Sequence, residues 1–295
     1  MDTVEVEPRQ GIYRPKDVVP NAPAEVTPLS DCRLVDKDGD TLAVHSSLGR
    51  NAPAVLAPLR PWLKHFKGWL DAGKALSTSG RLSGIRNAHI TFGTTPPVPL
   101  RRRYGASPSS FDQKYPSAAI ALDSLAVACG QYFKENLPDK WEEHNALEGV
   151  AGTHKGWMFG QGAAPWTSGI INNSAALPYH YDSGNVPGSW SAQVVLRERM
   201  DGGHLHMPDV NSWLACEDLS IAIFNGRSNL HGVTPLLPQD SRSYRFSIVF
   251  YAKSGIVRSL APGEEIKQAQ ERATASTDLA QWVKDGEDGK DGKDE

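Results

Sequence analysis

The chain is expected to fold as an α+β protein, with helices bracing a double-stranded β-helix of jelly-roll type. Three observations predict this. Its 295 residues, 39% hydrophobic and 22% charged, suffice for one large buried core. Helical periodicity dominates from Pro53 to about Leu147, whereas from Gly156 to about Lys253 short β-rich runs alternate with Gly, Pro and Asn/Asp clusters. Helices followed by a run of short strands describe helices packed on an antiparallel core.

In chain order, residues 1–50 are rich in Pro, Asp and Val without helical periodicity. They read as an irregular N-terminal arm, or as short strands laid on the main domain of 51–284. From Pro53 to Leu76, apolar residues recur at three and four and predict one or two amphipathic helices. A strand is expected at His89–Phe92, and the Pro-rich stretch from Thr94 to Pro108 carries Arg101, Arg102 and Arg103 on a loop. Ala119, Ile120, Leu122, Leu125, Ala126, Cys129 and Phe133 predict a buried support helix over 117–136, ended by Pro138, with a shorter helix around 139–147. Strands follow at Trp166–Asn173, Trp190–Glu198, His204–Met207, Leu219–Phe224 and Ser243–Lys253, placing the β-helix core at about 156–255. A last helix, Gly263–Lys284, packs outside, and residues 285–295, acidic and Gly-rich, form a disordered tail.

The net charge is −3, and without the tail the remainder is near +1, so no global field draws the protein to nucleic acid. Arg101–Arg103 is a local cation cluster suited to a phosphate backbone. Cys32, Cys129 and Cys216 are far apart with no CxxC pair, which fits a reducing compartment. The chain has neither a signal-like N-terminus nor a run of 18 apolar residues; an intracellular protein, cytoplasmic or nuclear, monomeric and without membrane contact, is expected.

His180-Tyr181-Asp182, with His231 49 residues after Asp182 and Arg245 14 residues after His231, carries the chemistry. Two imidazoles and a carboxylate can occupy one face of Fe(II), leaving positions for an oxo-acid and O₂. On an extended segment His180 and Asp182 point to the same side. His231 lies where a strand runs into the Gly232–Pro235 turn, a setting for a ligand at a barrel mouth. Arg245, Ser247, Val249 and Tyr251 share one strand face by parity. An inward guanidinium needs an anion, and its planar fork matches a carboxylate, for which the distal carboxylate of 2-oxoglutarate is the natural candidate. Ser247 can add a hydroxyl to it. Any single His is more often structural than a ligand; four elements in this order are harder to explain that way.

These residues resemble the TET/JBP family of Fe(II)/2-oxoglutarate dioxygenases, which oxidise the 5-methyl group of pyrimidines in DNA. The resemblance is most specific from Trp166 to Lys253 and weaker from about Gly84 to Trp141. It implies that His180, Asp182 and His231 hold Fe(II), that Arg245 and Ser247 anchor 2-oxoglutarate, and that O₂ is the second co-substrate. His180-Tyr181-Asp182-Ser183-Gly184-Asn185 matches the family's HxDxxN, which makes Asn185 a reader of the pyrimidine edge; its plain alternative is a turn residue. Within Gly203-His204-Leu205-His206-Met207-Pro208 the family places a His against the co-substrate carboxylate, here assigned to His206. His204 is left to the surface or the surround of the site, and a separate metal site at the pair lacks further ligands. Tyr251 stands where an aromatic stacks on an extruded base. The sequence departs from the family at Lys253, where several DNA-modifying relatives have His. A charged lysine donates but cannot accept, so it suits a base carbonyl or a phosphate and leaves 5-methylcytosine and thymine both open. Arg86 and Asn87 resemble an early family segment near the active-site mouth.

The expected activity is therefore oxidation of a pyrimidine 5-methyl group, 5-methylcytosine first and thymine second, on a base flipped out of DNA. One alternative is a 2-oxoglutarate-dependent hydroxylase of a protein side chain or a small metabolite. Another is a non-catalytic barrel that binds methylated DNA or a partner protein.

Overall fold

Alternating apolar and polar residues broken by Gly, Pro and Asx turns favour paired strands. The computed structural model describes residues 1–6, 13–24, 26–47, 59–71, 76–77, 87–97 and 105–288. The first 47 residues supply β1 (Asp2–Glu5), β2 (Cys32–Val35) and β3 (Thr41–Ser47), and the helical half supplies β4 (Leu76–Ser77), β5 (Asn87–Thr95) and β6 (Ser107–Pro108). The second half supplies β7 (Ser168–Asn173), β8 (Ser191–Glu198), β9 (Met200–Gly202), β10 (Leu205–Met207) and β11 (Ser212–Leu214). It continues with β12 (Ser220–Phe224), β13 (Gly232–Val233), β14 (Leu236–Pro238) and β15 (Tyr244–Tyr251).

The principal sheet has the order β1-β2-β3-β12-β8-β15-β7-β5-β4, with β6 paired to β5. Its central strands β12, β8, β15 and β7 are antiparallel neighbours. A smaller sheet, β11-β10-β13, packs Leu205, Met207 and Leu214 against Ala43, Val195, Ala222 and Phe224 of the principal sheet. Two sheets with their apolar faces together are the double-stranded β-helix that the strand run predicts. No described helix is long and apolar enough to cross a membrane.

The opposite face of the principal sheet is covered by helices. α1 (Leu63–Asp71) supplies Phe66 and α2 (Ser110–Lys114) supplies Phe111. The N-cap of α2 is Ser109, whose Oγ accepts from the Asp112 N–H at 3.1 Å. α3 (Pro116–Asn136) begins on a Pro and stops before Pro138, where α4 (Pro138–Ala146) starts; α5 is Glu148–Ala151 and α6 is Pro262–Asp288. Leu122, Leu125, Cys129 and Phe133 of α3 meet Val194, Phe246, Ile248 and Phe250 in the largest core cluster. Phe133 stacks on Trp166, and Trp166 on Phe250, at 6.2 and 6.0 Å between ring centroids. On β15 the even-numbered residues therefore serve the helix layer, which turns Ser247, Val249 and Tyr251 to the other face.

The N-terminal residues differ from an irregular arm. β2 and β3 extend the principal sheet beside β12, because Leu34, Ala43 and Val44 are apolar enough to be fully buried there. The expected helix over 53–76 reduces, among the described residues, to a 3-10 turn at Arg60–Trp62 and α1. Arg101–Arg103 and residues 289–295 lie outside the described residues.

Candidate active site

His180 and His231 face each other across an isolated antiparallel bridge and exchange both backbone hydrogen bonds, at 2.9 and 3.2 Å. The Asp182 N–H donates to Gly226 O at 2.9 Å, which fixes the second ligand segment to the loop leading into the third. The two imidazoles stand 4.3 Å apart between ring centroids. His180 Nε2 is 3.6 Å from Asp182 Oδ1, and His231 Nε2 is 3.8 Å from Asp182 Oδ2. Their ligand atoms all lie within 4.8 Å of one another, close enough to hold one ion.

Each ring is aimed by its other nitrogen. His180 Nδ1 lies 2.8 Å from Pro178 O, and His231 Nδ1 lies 2.9 Å from Asn229 O. A carbonyl only accepts, so both Nδ1 atoms carry the proton and both Nε2 lone pairs turn toward Asp182. That is the tautomer a metal needs, imposed here by backbone. A Cβ at Gly226 would stand 2.5 Å from Asp182 Oδ2 and 3.2 Å from His231 Cε1, so the absence of a side chain at 226 makes room for the carboxylate.

The triad opens into a cavity of about 360 Å³ between the two sheets. Ser247, Val249 and Tyr251 line it from β15, and Asn185 and Lys253 line it from segments joined by a backbone bridge. Asn185 is buried and its Nδ2 donates to Ser191 Oγ at 3.1 Å. The Lys253 ammonium lies 6.0 Å from the Tyr251 ring centroid.

Arg245 lies one step beyond Ser247 on the same face. It is fully buried, and its Nε, Nη1 and Nη2 have no hydrogen-bond partner in the structure. Burial pulls its pKa down; the neighbouring Cys216 opposes this, and Arg197, its cross-strand partner, adds to it. The Cys216 sulfur is a weak acceptor and leaves the guanidinium charge uncompensated. Arg197 is occupied, donating from Nη1 to the carbonyls of Gly202 and Cys216 at 2.9 Å each. A planar cation without an anion, one strand step behind the cavity-lining Ser247, fits a carboxylate-bearing co-substrate.

His206 does not line the cavity. Leu205 of β10 lines the cavity, and parity turns His206 to the outer face. There it stacks on Trp213, 4.0 Å between centroids and 10° between planes, and bonds through Nδ1 to Tyr179 Oη. Burial lowers its pKa to about 4. His204 does not line the cavity either, but it is the histidine beside Arg245. Its pKa is lowered to about 4 by burial and then by the charges of Arg197 and Arg245, and its Nδ1 has no partner. Gly202 and Gly203, both at a φ of 67°, turn the chain just before it, and a Cβ at Gly203 would stand 2.8 Å from Arg245 Nε.

Asn87 begins β5, its backbone paired with Ser77, while Arg86 lies outside the described residues. Asn172 and Gln193 were not foreseen from sequence. Both line the cavity from central strands, Asn172 with its Nδ2 3.4 Å from Ser247 Oγ and Gln193 with its Nε2 3.7 Å from Cys216 Sγ. Amides on strands that are otherwise buried and apolar were the signal available.

Residues 104–254 match the Tet_JBP family, described as the oxygenase domain of the 2OGFeDO superfamily. No curated protein matches the sequence. Among solved structures, NgTET1 in complex with 5mC DNA is 12% identical, with 77% of this chain and 78% of that chain covered and a TM-score of 0.52. A putative oxygenase from Shewanella oneidensis is 13% identical, with 92% and 99% covered and a TM-score of 0.39. An oxidoreductase of the 2OG-Fe(II) oxygenase family from Burkholderia pseudomallei is 13% identical, with 70% and 92% covered and a TM-score of 0.36.

Proposed function

The chain belongs to the Tet_JBP family and is an Fe(II)- and 2-oxoglutarate-dependent dioxygenase that consumes O₂, and from that premise we propose that it oxidises the 5-methyl group of a pyrimidine in DNA. The observation that carries the reading is what surrounds the cavity: the triad, Asn185, Tyr251 and Lys253 line it, and an uncompensated Arg245 is buried one strand step behind its lining residue Ser247. The likeness in fold to NgTET1, solved with 5mC DNA, supports it.

His180, Asp182 and His231 hold the iron through Nε2, a carboxylate oxygen and Nε2. With 2-oxoglutarate as the reductant, the bound iron supplies the oxidising power for a C–H bond that no side chain could attack. Arg245 takes the distal carboxylate of 2-oxoglutarate, Ser247 adds a hydroxyl, and His204 takes the part first given to His206. A methyl group inside a duplex is out of reach, so the nucleotide enters the cavity flipped. Tyr251 supplies a face for stacking, worth about 1–3 kcal/mol per base. Asn185 reads the base edge, Lys253 donates to a base carbonyl or a phosphate, and Arg101–Arg103 steady the backbone.

Mass spectrometry of nucleosides after incubation with DNA carrying 5-methylcytosine or only thymine, Fe(II) and 2-oxoglutarate tests this. A hydroxymethyl pyrimidine is expected. Succinate without any oxidised base, on every DNA offered, would move the substrate to a protein side chain or a small metabolite, the reading that the near-neutral charge favours.

A further inference from the structure

The three ligands are not equally supported. His180 and His231 are buried and each is aimed by a backbone carbonyl, whereas Asp182 is partly exposed and sits in a tight turn, Asp182–Asn185. Within that turn the Asn185 N–H donates to Asp182 O at 3.0 Å and the Ser183 N–H to Tyr181 O at 2.9 Å. From outside, Ser254 bonds Gly184 O through its N–H and its Oγ, at 3.2 and 3.1 Å, and one cationic side chain spans the turn. Arg227 Nη1 donates to Ser183 O at 2.8 Å and also to Asn185 O, in a short contact.

Arg227 itself belongs to a second ordered turn. Asn225 Oδ1 accepts from the N–H groups of Arg227 and Ser228 at 3.2 and 3.1 Å, and Asn225 O accepts from the Asn229 backbone and side chain at 3.0 and 2.9 Å. That turn contains Gly226, beneath the Asp182 carboxylate, and leads directly into His231. The guanidinium therefore bridges the turn that holds the carboxylate ligand and the turn that delivers the second imidazole. Its bond to the Asn185 carbonyl also fixes the residue whose amide lines the cavity.

We propose that Arg227 is a positioning residue: through Ser183 and Asn185 it sets the aim of the Asp182 carboxylate and the Asn185 amide together. The proposal rests on the metal assignment above. A charge-assisted bond to a carbonyl is about twice as strong as a neutral one, and the planar group reaches two carbonyls that a lysine ammonium on a flexible stem would hold loosely.

The test is Co(II) titration of the full chain, read both by affinity and by the visible d–d spectrum, with thermal unfolding in parallel. Arg227→Ala is expected to unfold within a few degrees of the parent, to bind Co(II) on the order of 10-fold more weakly, as the loss of outer-layer support to a metal ligand does, and to show an altered spectrum. Arg227→Lys is expected to recover part of the affinity. Co(II) affinity within twofold of the parent with an unchanged spectrum in Arg227→Ala overturns the proposal. So does a weakened Arg227→Ala whose spectrum is unchanged and which Arg227→Lys does not rescue. His180→Ala is the control for the underlying assignment: if it binds Co(II) as the parent does, the metal site itself is wrong, whatever Arg227 does.

Discussion

The triad and the surroundings of Arg245 are built on opposite plans. At the triad, both imidazoles have their Nδ1 protons taken by backbone carbonyls, and the ligand segments are joined by reciprocal backbone bonds. Behind Ser247, Arg245 is fully buried with three nitrogens unpartnered, and His204 Nδ1 is unpartnered beside it. One is organised before any ligand arrives, and the other is left for a ligand to complete. The contrast has a physical rationale. Ligand geometry must be preset for an ion to bind tightly, whereas a co-substrate consumed each turnover gains its affinity from groups that have no other partner.

Breaking the preset triad should have the largest effect. His180→Ala or Asp182→Ala is expected to abolish metal binding and reduce 2-oxoglutarate turnover, followed as succinate release, to background. Arg245→Met should leave the metal in place and raise the KM for 2-oxoglutarate on the order of 100-fold, since truncating one partner of a buried, hydrogen-bonded charge pair costs about 2–5 kcal/mol. Gly226→Ala sharpens the comparison from the metal side. Its new Cβ presses on the Asp182 carboxylate rather than on backbone, so metal affinity should fall about 10-fold while the Tm changes little.

The smallest effect is in pH dependence. Burial lowers the pKa of His45, His144, His204 and His206 from 6.5 to about 4. Between pH 6.5 and 4 the unfolded chain binds more protons at these sites than the folded one, so stability is present above 6.5 and is lost as the pH falls toward 4. Asp112, raised to about 6 by burial, acts in the opposite sense, but it is one group against four. The Tm should therefore fall on acidification across that window, and His204→Gln should flatten the slope; a Tm that rises toward pH 4 would contradict the assignment.

Much of this could be read in the chain because period and composition agreed. On β15 Phe246, Ile248 and Phe250 of the helix layer alternate with the cavity-lining Ser247, Val249 and Tyr251, and on α3 Leu122, Leu125, Ala126, Cys129 and Phe133 are buried as their spacing predicts, whereas Ile120, expected on that face, is 68% exposed. The triad could be read because His180 and Asp182 are two apart on an extended segment. The smaller sheet and the separate β9–β14 pair were harder, since β9, β11, β13 and β14 are two or three residues long and show no period. The exchange of His206 for His204 has the same origin. Paired glycines re-aim the chain before β10, and nothing in Leu205-His206-Met207 indicates which face meets the cavity. Gly226 and Arg227 act through contacts between distant turns, which spacing along the chain does not encode.

The central claim, that Arg245 awaits an anion, is tested most directly by thermal unfolding of the parent and of Arg245→Met, each with the metal, with and without 2-oxoglutarate. Without co-substrate, Arg245→Met should be at least as stable as the parent, because an uncompensated buried charge has been removed. At about 100 times its dissociation constant, 2-oxoglutarate should stabilise the parent by about 2.7 kcal/mol and leave Arg245→Met nearly unmoved at the same concentration. An Arg245→Met protein several kcal/mol less stable than the parent without co-substrate, or stabilised by it as much as the parent is, would contradict the account.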